Sequence, residues 1–418
     1  MTVHVIGAGI AGLAAAARLA RAGVTVALYE QTRAAGGRCR SYFDARFGRP
    51  LDTGIHLTFA RSRHFQAFLA DVDAADQLVG PDVSYCRFFD AVEGRSWTLR
   101  PNSGPVPWWL VVPGRSPPRK GVGDLLGLAR LAVADRASTV SACIPTSGPS
   151  YRSLWEPITV ACLNTPPAEA SAQLLWQFIL DGFRHGAALY HQRFARGGLS
   201  ESFIAPALAK IEARHGTVHF RTRAHRFEFA GRRVDGLHVG GRRIALASSD
   251  AVVLALPPAA AARIVPDLSV PRRCSAIVTV HFALDPPAPP GPDLTCVIEG
   301  RSFWLLTRDR VATATIGAAD DLLGEAPASL AQRLWSAAAA ALGRDAERLP
   351  PYRVLKFRDG TYAHTPSEIA RRPSTRTRWA NLFVAGDWTA TEFPATVDSA
   401  ALSGHRAAAA AQEAIGRT

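Results

Sequence analysis

Three glycines near the N-terminus, Gly7, Gly9 and Gly12, have the spacing Gly-x-Gly-x-x-Gly. At this spacing the first glycine permits a tight turn, the second lets the backbone reach a pyrophosphate, and the third lets a helix pack closely on a strand. Glu30 follows near the expected offset of roughly 20 residues, where a carboxylate can accept hydrogen bonds from a ribose. The spacing predicts a dinucleotide site, in which we also expect the neighbouring residues Ala8, Ile10, Ala11 and Gln31.

The surrounding sequence supplies the elements that such a site requires. Residues 3–6 form a short apolar run typical of a buried strand, an Ala-rich helical pattern continues to about residue 22, and residues 24–28 alternate as a second strand that leads to Glu30. Together they form a βαβ unit, in which the helix N-terminus faces the phosphates. A glycine-tolerant surface turn is the alternative interpretation, and this context disfavours it.

Two further stretches extend the predicted site. A second pair of glycines directly precedes Arg38, and near the C-terminus a strand pattern over 382–385 ends at a Gly386-Asp387 turn. A helical pattern that begins at Thr396 would present another amide-rich helix N-terminus. An ordinary strand–helix loop with a helix cap explains this last element equally well by itself. Its pairing with the N-terminal glycines favours a role in binding.

These motifs together resemble the amine oxidase and phytoene desaturase superfamily of flavoproteins. The resemblance rests on VIGAGIAGLAAAARLARAG, the following acid, the Gly-Gly-Arg triplet and the closing FVAGDW. It implies FAD rather than NAD, and an α/β fold in which a doubly wound, Rossmann-like FAD-binding domain is interleaved with an α+β substrate domain. The contacts that it implies are Gly7, Gly9, Gly12, Gly37 and Arg38 at the pyrophosphate, Glu30 at the ribose, Ala224 near the adenine, Gly54, Ile55, His56 and Leu57 beside the isoalloxazine, Gly386 and Asp387 at the ribityl phosphate, and Val397 near the ring.

Three internal stretches narrow the resemblance. They are Asp52-Thr53-Gly54-Ile55-His56-Leu57, then Leu154-Trp155-Glu156-Pro157 with Leu163-Asn164-Thr165-Pro166, and Pro394-Ala395-Thr396-Val397-Asp398-Ser399-Ala400 with Ser403-Gly404. They resemble the hydroxysqualene dehydroxylase family, the squalene-associated flavoenzymes of bacterial hopanoid synthesis. This resemblance implies that reduced FAD removes the hydroxyl group of hydroxysqualene, a C30 isoprenoid, to give squalene.

Such a reaction requires a proton donor, because hydroxide is a poor leaving group. His56 is the first candidate and Glu156 is the second. Each has an ordinary alternative role, as a hydrogen-bonded turn histidine or as a surface carboxylate.

The sequence contains one complete dinucleotide fingerprint, so we expect an external electron donor rather than a second nucleotide site. Two other functions remain open at this point. An amine oxidase or carotenoid-type desaturase of the same superfamily would take a hydride from its substrate. A non-catalytic flavin-bound lipid carrier would hold its ligand without turnover.

Length and composition set the domain organisation. A chain of 418 residues exceeds the usual single-domain limit of about 250–300, and 48% hydrophobic content indicates a globular protein. We expect an FAD-binding domain from 1–60, 196–258 and 376–418, and a substrate domain from 61–195 and 259–375. The net charge of +13 comes with Arg in place of Lys at all but three basic positions and with no nucleic-acid motif, so we expect no nucleic-acid partner.

The remaining features bear on location. Six cysteines are scattered without metal-ligand spacing, no apolar run reaches the ~18 residues of a transmembrane helix, and no signal peptide is recognisable. We therefore expect a cytoplasmic protein, and its basic charge leaves contact with the inner face of the membrane open. Paired tryptophans within residues 107–113 fit either a buried strand or an interfacial loop. We also expect helices over 64–79 and 123–136 and from Thr165, and strand patterns over 274–284, 294–306 and 311–317.

Overall fold

The computed structural model describes residues 1–60, 62–102, 108–110, 112–118, 122–148, 150–185 and 191–416. Within these ranges the strands are β1 (Thr2–Ile6), β2 (Thr25–Tyr29), β3 (Ser41–Asp44), β4 (Arg49–Asp52), β5 (Thr58–Phe59), β6 (Leu78–Val79), β7 (Cys86–Asp90), β8 (Arg95–Leu99), β9 (Gln192–Ala195), β10 (Thr217–His219), β11 (Ala224–Ala230), β12 (Arg233–Val239), β13 (Arg242–Ala245), β14 (Ala251–Leu254), β15 (Cys274–Ala283), β16 (Asp293–Glu299), β17 (Arg301–Arg308), β18 (Val311–Ile316), β19 (Tyr352–Tyr362) and β20 (Leu382–Val384). The α-helices are α1 (Ile10–Arg21), α2 (Arg63–Asp71), α3 (Val122–Ala132), α4 (Val140–Cys143), α5 (Glu156–Leu163), α6 (Ala172–His185), α7 (Ala205–Ala213), α8 (Pro258–Ile264), α9 (Pro327–Leu342), α10 (Pro366–Ile369) and α11 (Val397–Ile415).

A five-stranded parallel sheet in the order β10-β2-β1-β14-β20 forms the dinucleotide-binding half. Parallel strands require crossover connections, and the crossover from β1 to β2 is the Ala-rich helix α1. The five strands come from the N-terminal, middle and C-terminal parts of the sequence that we assign to FAD binding. The domain boundaries themselves remain a prediction.

Both faces of this sheet are covered. Helices α1, α7 and α11 bury one face, and the antiparallel meander β11–β13 and helix α8 bury the other. Helices α1 and α11 approach closely, since a Cβ atom on Gly404 would lie 2.3 Å from the Ala11 carbonyl oxygen. This contact places the N-termini of the first and last helices side by side, at the carboxyl edge of the parallel sheet.

A seven-stranded sheet in the order β19-β15-β18-β17-β16-β7-β8 forms the other half. Helix α9 packs on one face, where side chains such as Val280, Phe282 and Ala314 are completely buried. A hydrophobic cluster built around α3, α5 and α6 covers the outer strands on the opposite face. The predicted α/β fold with an interleaved α+β half is confirmed.

Three predicted elements are wrong in their limits. The strand expected over 294–306 is a hairpin of β16 and β17, because Gly300 turns the chain at φ +65°. Thr165 does not begin a helix: its hydroxyl donates to the Leu163 carbonyl at 2.8 Å and accepts from the His364 amide at 2.8 Å, and α6 begins seven residues later. The helix expected over 64–79 ends at Asp71.

The paired tryptophans do not form a strand. Trp108 and Trp109 lie in a single 3-10 turn that ends at Leu110, with Trp109 9% exposed and Trp108 44% exposed. The turn therefore sends one indole inward and the other outward, while positions 107 and 111 of the expected strand lie outside the described residues. In the described part of the chain, no helix combines the length and apolar character needed to cross a bilayer.

Candidate flavin site

The glycine-rich turn between β1 and α1 has the shape that its spacing predicts. Gly7 has φ +103°, and a Cβ atom there would lie 2.5 Å from the Ala255 carbonyl oxygen. A Cβ atom on Gly12 would lie 1.9 Å from the Gly7 carbonyl oxygen, so the helix can approach the turn only with glycine at this position. A Cβ atom on Gly9 would meet nothing within 4 Å, so this glycine borders open space.

Helix α1 begins without a side-chain cap. Gly9 is its N-cap residue and supplies no side chain to satisfy the first backbone N–H groups. Ala8, Ile10 and Ala11 are buried around this turn. The amide-rich end of α1 is therefore available to an anion such as a pyrophosphate.

The second glycine pair folds back onto the first. The Gly36 amide donates to the Ala8 carbonyl at 2.7 Å, and Gly37 lies so close to Gly9 that a Cβ atom on it would be 3.4 Å from the Gly9 Cα atom. Both loops thus line the open side of the turn. The two loops are almost 30 residues apart in the sequence, and a parallel bridge between Gly9 and Gly36 holds them together.

Glu30, the predicted ribose contact, is buried. Its carboxylate accepts from the Ala8 amide at 3.1 Å and from the Thr32 amide at 2.8 Å. A carboxylate offers about four acceptor positions, so two remain for ribose hydroxyls. Gln31 beside it is exposed, and the Thr222 amide donates to the Glu30 carbonyl at 2.8 Å, which brings the start of β11 at Ala224 next to this corner.

Arg38 joins the two ends of the polypeptide. Its guanidinium donates to both carboxylate oxygens of Asp387, at 2.8 and 2.7 Å, and to the Gly360 carbonyl at 2.8 Å. The Coulombic attraction of Asp387 raises the pKa of Arg38 above its ordinary value, so this side chain stays cationic. The predicted pyrophosphate and ribityl-phosphate contacts therefore meet at one ion pair, in which Asp387 is buried and Arg38 is exposed.

The turn before Asp387 is held by the last helix. Gly386 has φ +154°, its amide donates to the Ser403 hydroxyl of α11 at 2.8 Å, and a Cβ atom on it would lie 2.3 Å from Nε1 of Trp388. Helix α11 begins at the half-buried Val397 and is capped by Thr396, whose hydroxyl accepts from the Ser399 amide at 3.1 Å. Unlike α1, this helix has part of its N-terminus satisfied by its own side chain.

The segment of residues 54–57 lies over strand β15. The Thr53 hydroxyl donates to the Arg38 carbonyl at 2.6 Å, and a Cβ atom on Gly54 would be 3.4 Å from the Thr279 hydroxyl oxygen. Ile55, His56 and Leu57 are each half-buried. This segment therefore connects the Arg38 ion pair with the seven-stranded sheet.

His56 has one hydrogen-bond partner that fixes its tautomer. Its Nδ1 atom lies 3.4 Å from the Gly54 carbonyl oxygen, which can only accept, so Nδ1 carries the proton. Burial lowers the pKa of His56 below the ordinary value. The neutral ring then presents Nε2 as an acceptor, and a protonated ring would be a stronger acid than a solvated histidine.

Strands β18 and β17 continue the sheet beside β15. Their side chains alternate between completely buried positions and half-buried positions such as Trp304, Leu306, Thr313 and Thr315. The half-buried set shares a face with Thr279, because Thr279 pairs with Thr315, and Thr315 pairs with Trp304. Of this set, Trp304 packs against the hydrophobic cluster built around α3, α5 and α6. We call this surface, with Thr279, Trp304, Leu306, Thr313 and Thr315, the site face.

Three threonines and a histidine make the site face polar. The Thr279 and Thr315 hydroxyl oxygens lie 3.1 Å apart, and Nδ1 of His281 lies 2.9 Å from the Thr313 hydroxyl. Sequence reasoning missed all four residues. The signal was present in the alternation VTVH at 278–281 and ATATI at 312–316, but it shows function only when the exposed face is known.

Glu156 lies apart from His56. It begins helix α5, which packs on β17, and it is near enough to Arg301 for that cation to affect its pKa. The pairing Thr279–Thr315–Trp304–Cys296 places β16 three strand spacings, or about 14 Å, from β15. Burial raises the pKa of Glu156, and its carboxylate in turn contributes to the raised pKa of Cys296. The structure does not bring the two predicted acids together.

These features fit FAD. They are an uncapped helix end suited to the pyrophosphate, an open flank at Gly9 and a buried carboxylate with spare acceptor positions. Within the described ranges, no group of three His, Cys, Asp or Glu side chains could hold a metal ion. The fold and the site together define a flavin-dependent oxidoreductase.

The comparisons with known proteins agree with this class. The family described as flavin containing amine oxidoreductase matches residues 10–412, and the chain belongs to this family. Cyclohexylamine oxidase from Brevibacterium oxydans superposes with a TM-score of 0.73 at 18% identity, over 100% of this chain and 99% of that chain, which shows a shared fold.

Two relatives of higher sequence identity have the same name. The chain is 40% identical over 408 residues to the hydroxysqualene dehydroxylase of Rhodopseudomonas palustris, and 36% identical over 406 residues to that of Sinorhizobium fredii. Each match covers 97% of this chain and 97% of the relative. Both resemblances drawn from the sequence are confirmed, and the chain is an FAD-dependent oxidoreductase.

Proposed function

We propose that this protein reduces hydroxysqualene to squalene. The observation that carries the proposal is the 40% identity to a hydroxysqualene dehydroxylase along nearly the whole of both chains. The site supports it, because a half-open sheet face combines the apolar side chains Trp304 and Leu306 with the hydroxyl pair of Thr279 and Thr315. A long hydrocarbon with a single hydroxyl group needs such a mixture.

The reaction balances with FAD as the reductant. The C–O bond of the substrate breaks, a C–H bond forms at the same carbon, and one water molecule leaves. Bound FAD in its reduced form supplies the hydride, and it ends oxidised. The protein must therefore hold the hydroxyl group, deliver one proton to it, and keep bulk water from the carbon centre.

Thr279 and Thr315 are suited to hold the substrate hydroxyl. Their hydroxyl groups are adjacent at 3.1 Å, and the half-buried Thr315 faces the open space of the site face. A threonine hydroxyl donates one hydrogen bond and accepts others, so the pair can both accept from and donate to an alcohol. In an otherwise apolar setting, this pair selects where along the hydrocarbon the hydroxyl group lies.

His56 is the proposed proton donor. A donor must first lie within hydrogen-bond reach of the leaving oxygen, and its pKa matters second. His56 belongs to the segment that contacts Thr279 of β15, whereas Glu156 begins helix α5, which packs on β17, two strands away. The imidazolium form, made more acidic by burial, would donate from Nε2 while Nδ1 stays bonded to the Gly54 carbonyl.

The reductant and the source of the substrate lie outside the site. The sequence supplies a single complete dinucleotide fingerprint, so we propose that a separate donor protein or small reductant reduces the flavin between turnovers. Hydroxysqualene is a lipid, and we propose that the protein collects it from a membrane surface.

The test uses the purified holoprotein under anaerobic conditions with three classes of substrate. We expect the reduced form to convert hydroxysqualene to squalene, and the oxidised form to accept no hydride from primary amines or from polyenes. Reduction of the oxidised flavin by an amine or a polyene would instead identify an oxidase or a desaturase. A flavin that none of these compounds reduces or reoxidises would identify a lipid carrier.

A further inference from the structure

Helix α3 has an outward face of unusual composition. From residue 125 to residue 133 the exposed side chains are Leu125, Leu126, Ala129, Arg130, Ala132 and Val133, so one of six is charged. At 100° per residue these positions span an arc of about 160°. The outward face of a surface helix is ordinarily polar, and contiguous exposed apolar surface marks an interaction site. We call these six residues the α3 patch.

An exposed indole lies over the same hydrophobic cluster. Trp109 packs in the cluster that contains Leu131 of α3, while the neighbouring Trp108 points outward. The guanidinium of Arg115 lies over the Trp108 ring, 5.0 Å from its centroid. Tryptophan flanked by arginine is typical of side chains that rest at the level of lipid headgroups.

The net charge of residues 100–136 indicates which kind of partner this surface binds. Residues 100–136 contain six basic and two acidic side chains, a net charge of +4. The carboxylate of Asp124, one of the two acids, accepts hydrogen bonds from Nε1 of Trp155 at 3.1 Å and from the Ser150 hydroxyl. Asp135, the other acid, accepts from the Ser138 amide at 2.8 Å. Basic side chains therefore outnumber acidic ones by four in this segment, which suits an anionic phospholipid surface.

We propose that the α3 patch and Trp108 form a docking surface for the headgroup region of an anionic bilayer. The leucines enter the boundary between headgroups and acyl chains, and Arg115 and Arg130 contact lipid phosphates. The hydrophobic cluster beneath α3 continues inward to Cys296 of β16 and Trp304 of the site face. An apolar connection therefore joins the membrane surface to the wall of the site. That link to substrate uptake rests on the proposed function, whereas docking itself does not.

The experiment measures co-sedimentation of the FAD-loaded protein with vesicles in the absence of substrate. The vesicles are phosphatidylcholine alone, or an equal mixture of phosphatidylcholine and phosphatidylglycerol. We expect the wild-type protein to bind the anionic vesicles and to bind neutral ones weakly. The double variant Leu125→Asp/Leu126→Asp should lower the partition coefficient by about tenfold or more, because two carboxylates replace inserted apolar side chains.

The control is Val92→Asp, which places one new carboxylate, half the added charge of the double variant, on an apolar side chain that is 71% exposed in the turn between β7 and β8. It should change vesicle binding by less than about twofold. Retained FAD and an unchanged unfolding temperature show that each variant is folded.

Equal vesicle binding by the double variant and the wild type would overturn the proposal, and so would an equal loss in Val92→Asp. A wild-type dimer that the double variant converts to a monomer, with vesicle binding unchanged, would show that a second copy of the chain covers this face. If the protein binds vesicles but leaves hydroxysqualene unchanged, the docking surface is supported and the proposed function is wrong.

Discussion

The two faces of the seven-stranded sheet are built from alternate residues of the same strands, yet they do different work. On β17 and β18, Phe303, Leu305 and Ala314 are buried beneath α9, whereas Trp304 and Thr315 between them are half-buried on the site face. A strand directs successive side chains to opposite faces. One face therefore forms a hydrophobic core, and the other carries hydroxyl and imidazole groups.

This comparison separates stability from chemistry. The α9 face is aliphatic and aromatic, and its contribution is the apolar surface that it removes from water. The site face forms hydrogen bonds between Thr279 and Thr315 and between His281 and Thr313, and it borders the segment that carries His56. Substitutions on the first face should lower the free energy of unfolding, and substitutions on the second should change catalysis.

The largest effect is expected on the α9 face. Phe282 is completely buried and its ring lies 5.1 Å from that of Trp335. Phe282→Ala should lower the free energy of unfolding by about 3–5 kcal/mol because it leaves a cavity. Chemical denaturation of the holoprotein measures this loss. Turnover per folded, flavin-loaded molecule should stay close to wild type, and a specific loss of turnover would contradict the division between the faces.

The next effect is the acid sensitivity of the site face. Burial lowers the pKa of His281 to about 4, against 6.5 for the ordinary value. The unfolded chain therefore binds a proton between these values while the folded protein does not, so stability is complete above pH 6.5 and is lost as the pH falls towards 4, by about 3 kcal/mol.

Unfolding free energies measured across pH 4–7 test this effect. His281→Gln should flatten the part of the profile that His281 causes, and Thr295→Val on the α9 face should leave the profile unchanged. Identical slopes for His281→Gln and wild type would show that His281 is not the titrating group.

The proton donor should give a kinetic effect of comparable size. His56→Ala should reduce turnover by about a hundredfold, because general acid catalysis typically contributes at least that much. Since burial lowers the pKa of His56, the acidic form is populated only at low pH, and wild-type kcat/KM should fall as the pH rises through that lowered value.

Single-turnover rates with reduced flavin, measured against pH, distinguish the two candidate acids. His56→Ala should lose the pH-dependent limb and Glu156→Gln should keep it. The reverse result would assign proton donation to Glu156.

The smallest effect in stability should come from the hydroxyl pair. Thr315→Val removes the hydrogen bond between the half-buried Thr315 and the buried Thr279 and should cost about 1 kcal/mol of unfolding free energy. Its KM for hydroxysqualene should rise by up to about tenfold, because the substrate hydroxyl loses a partner. Thr295→Val makes the same change on the α9 face of β16, and KM should not change there. Equal KM values for the two variants would remove Thr315 from the substrate site.

The parts of the site that sequence could predict are local. Gly7, Gly9, Gly12 and Glu30 belong to one βαβ unit, whose strand, turn and helix are encoded within 30 residues. The cofactor contacts and the proton donor assigned to particular residues all stay predictions, including those at residues 54–57 and at Val397.

The sequence could not predict the contacts between residues that lie far apart along the chain. Arg38 meets Asp387 across 349 positions, and Thr279 meets Thr315 across 36 positions through the register of two antiparallel strands. Residues 294–306 have a continuous strand pattern, so only the left-handed conformation of Gly300 reveals the hairpin. The role of Thr165 was missed because its hydroxyl bonds to His364 rather than to a helix of its own.

Anaerobic rapid mixing of the reduced holoprotein with hydroxysqualene tests the central claim most directly. The account predicts that the absorbance of oxidised flavin returns in a single turnover and that one molecule of squalene forms per flavin. A flavin that stays reduced while hydroxysqualene is recovered unchanged would contradict it.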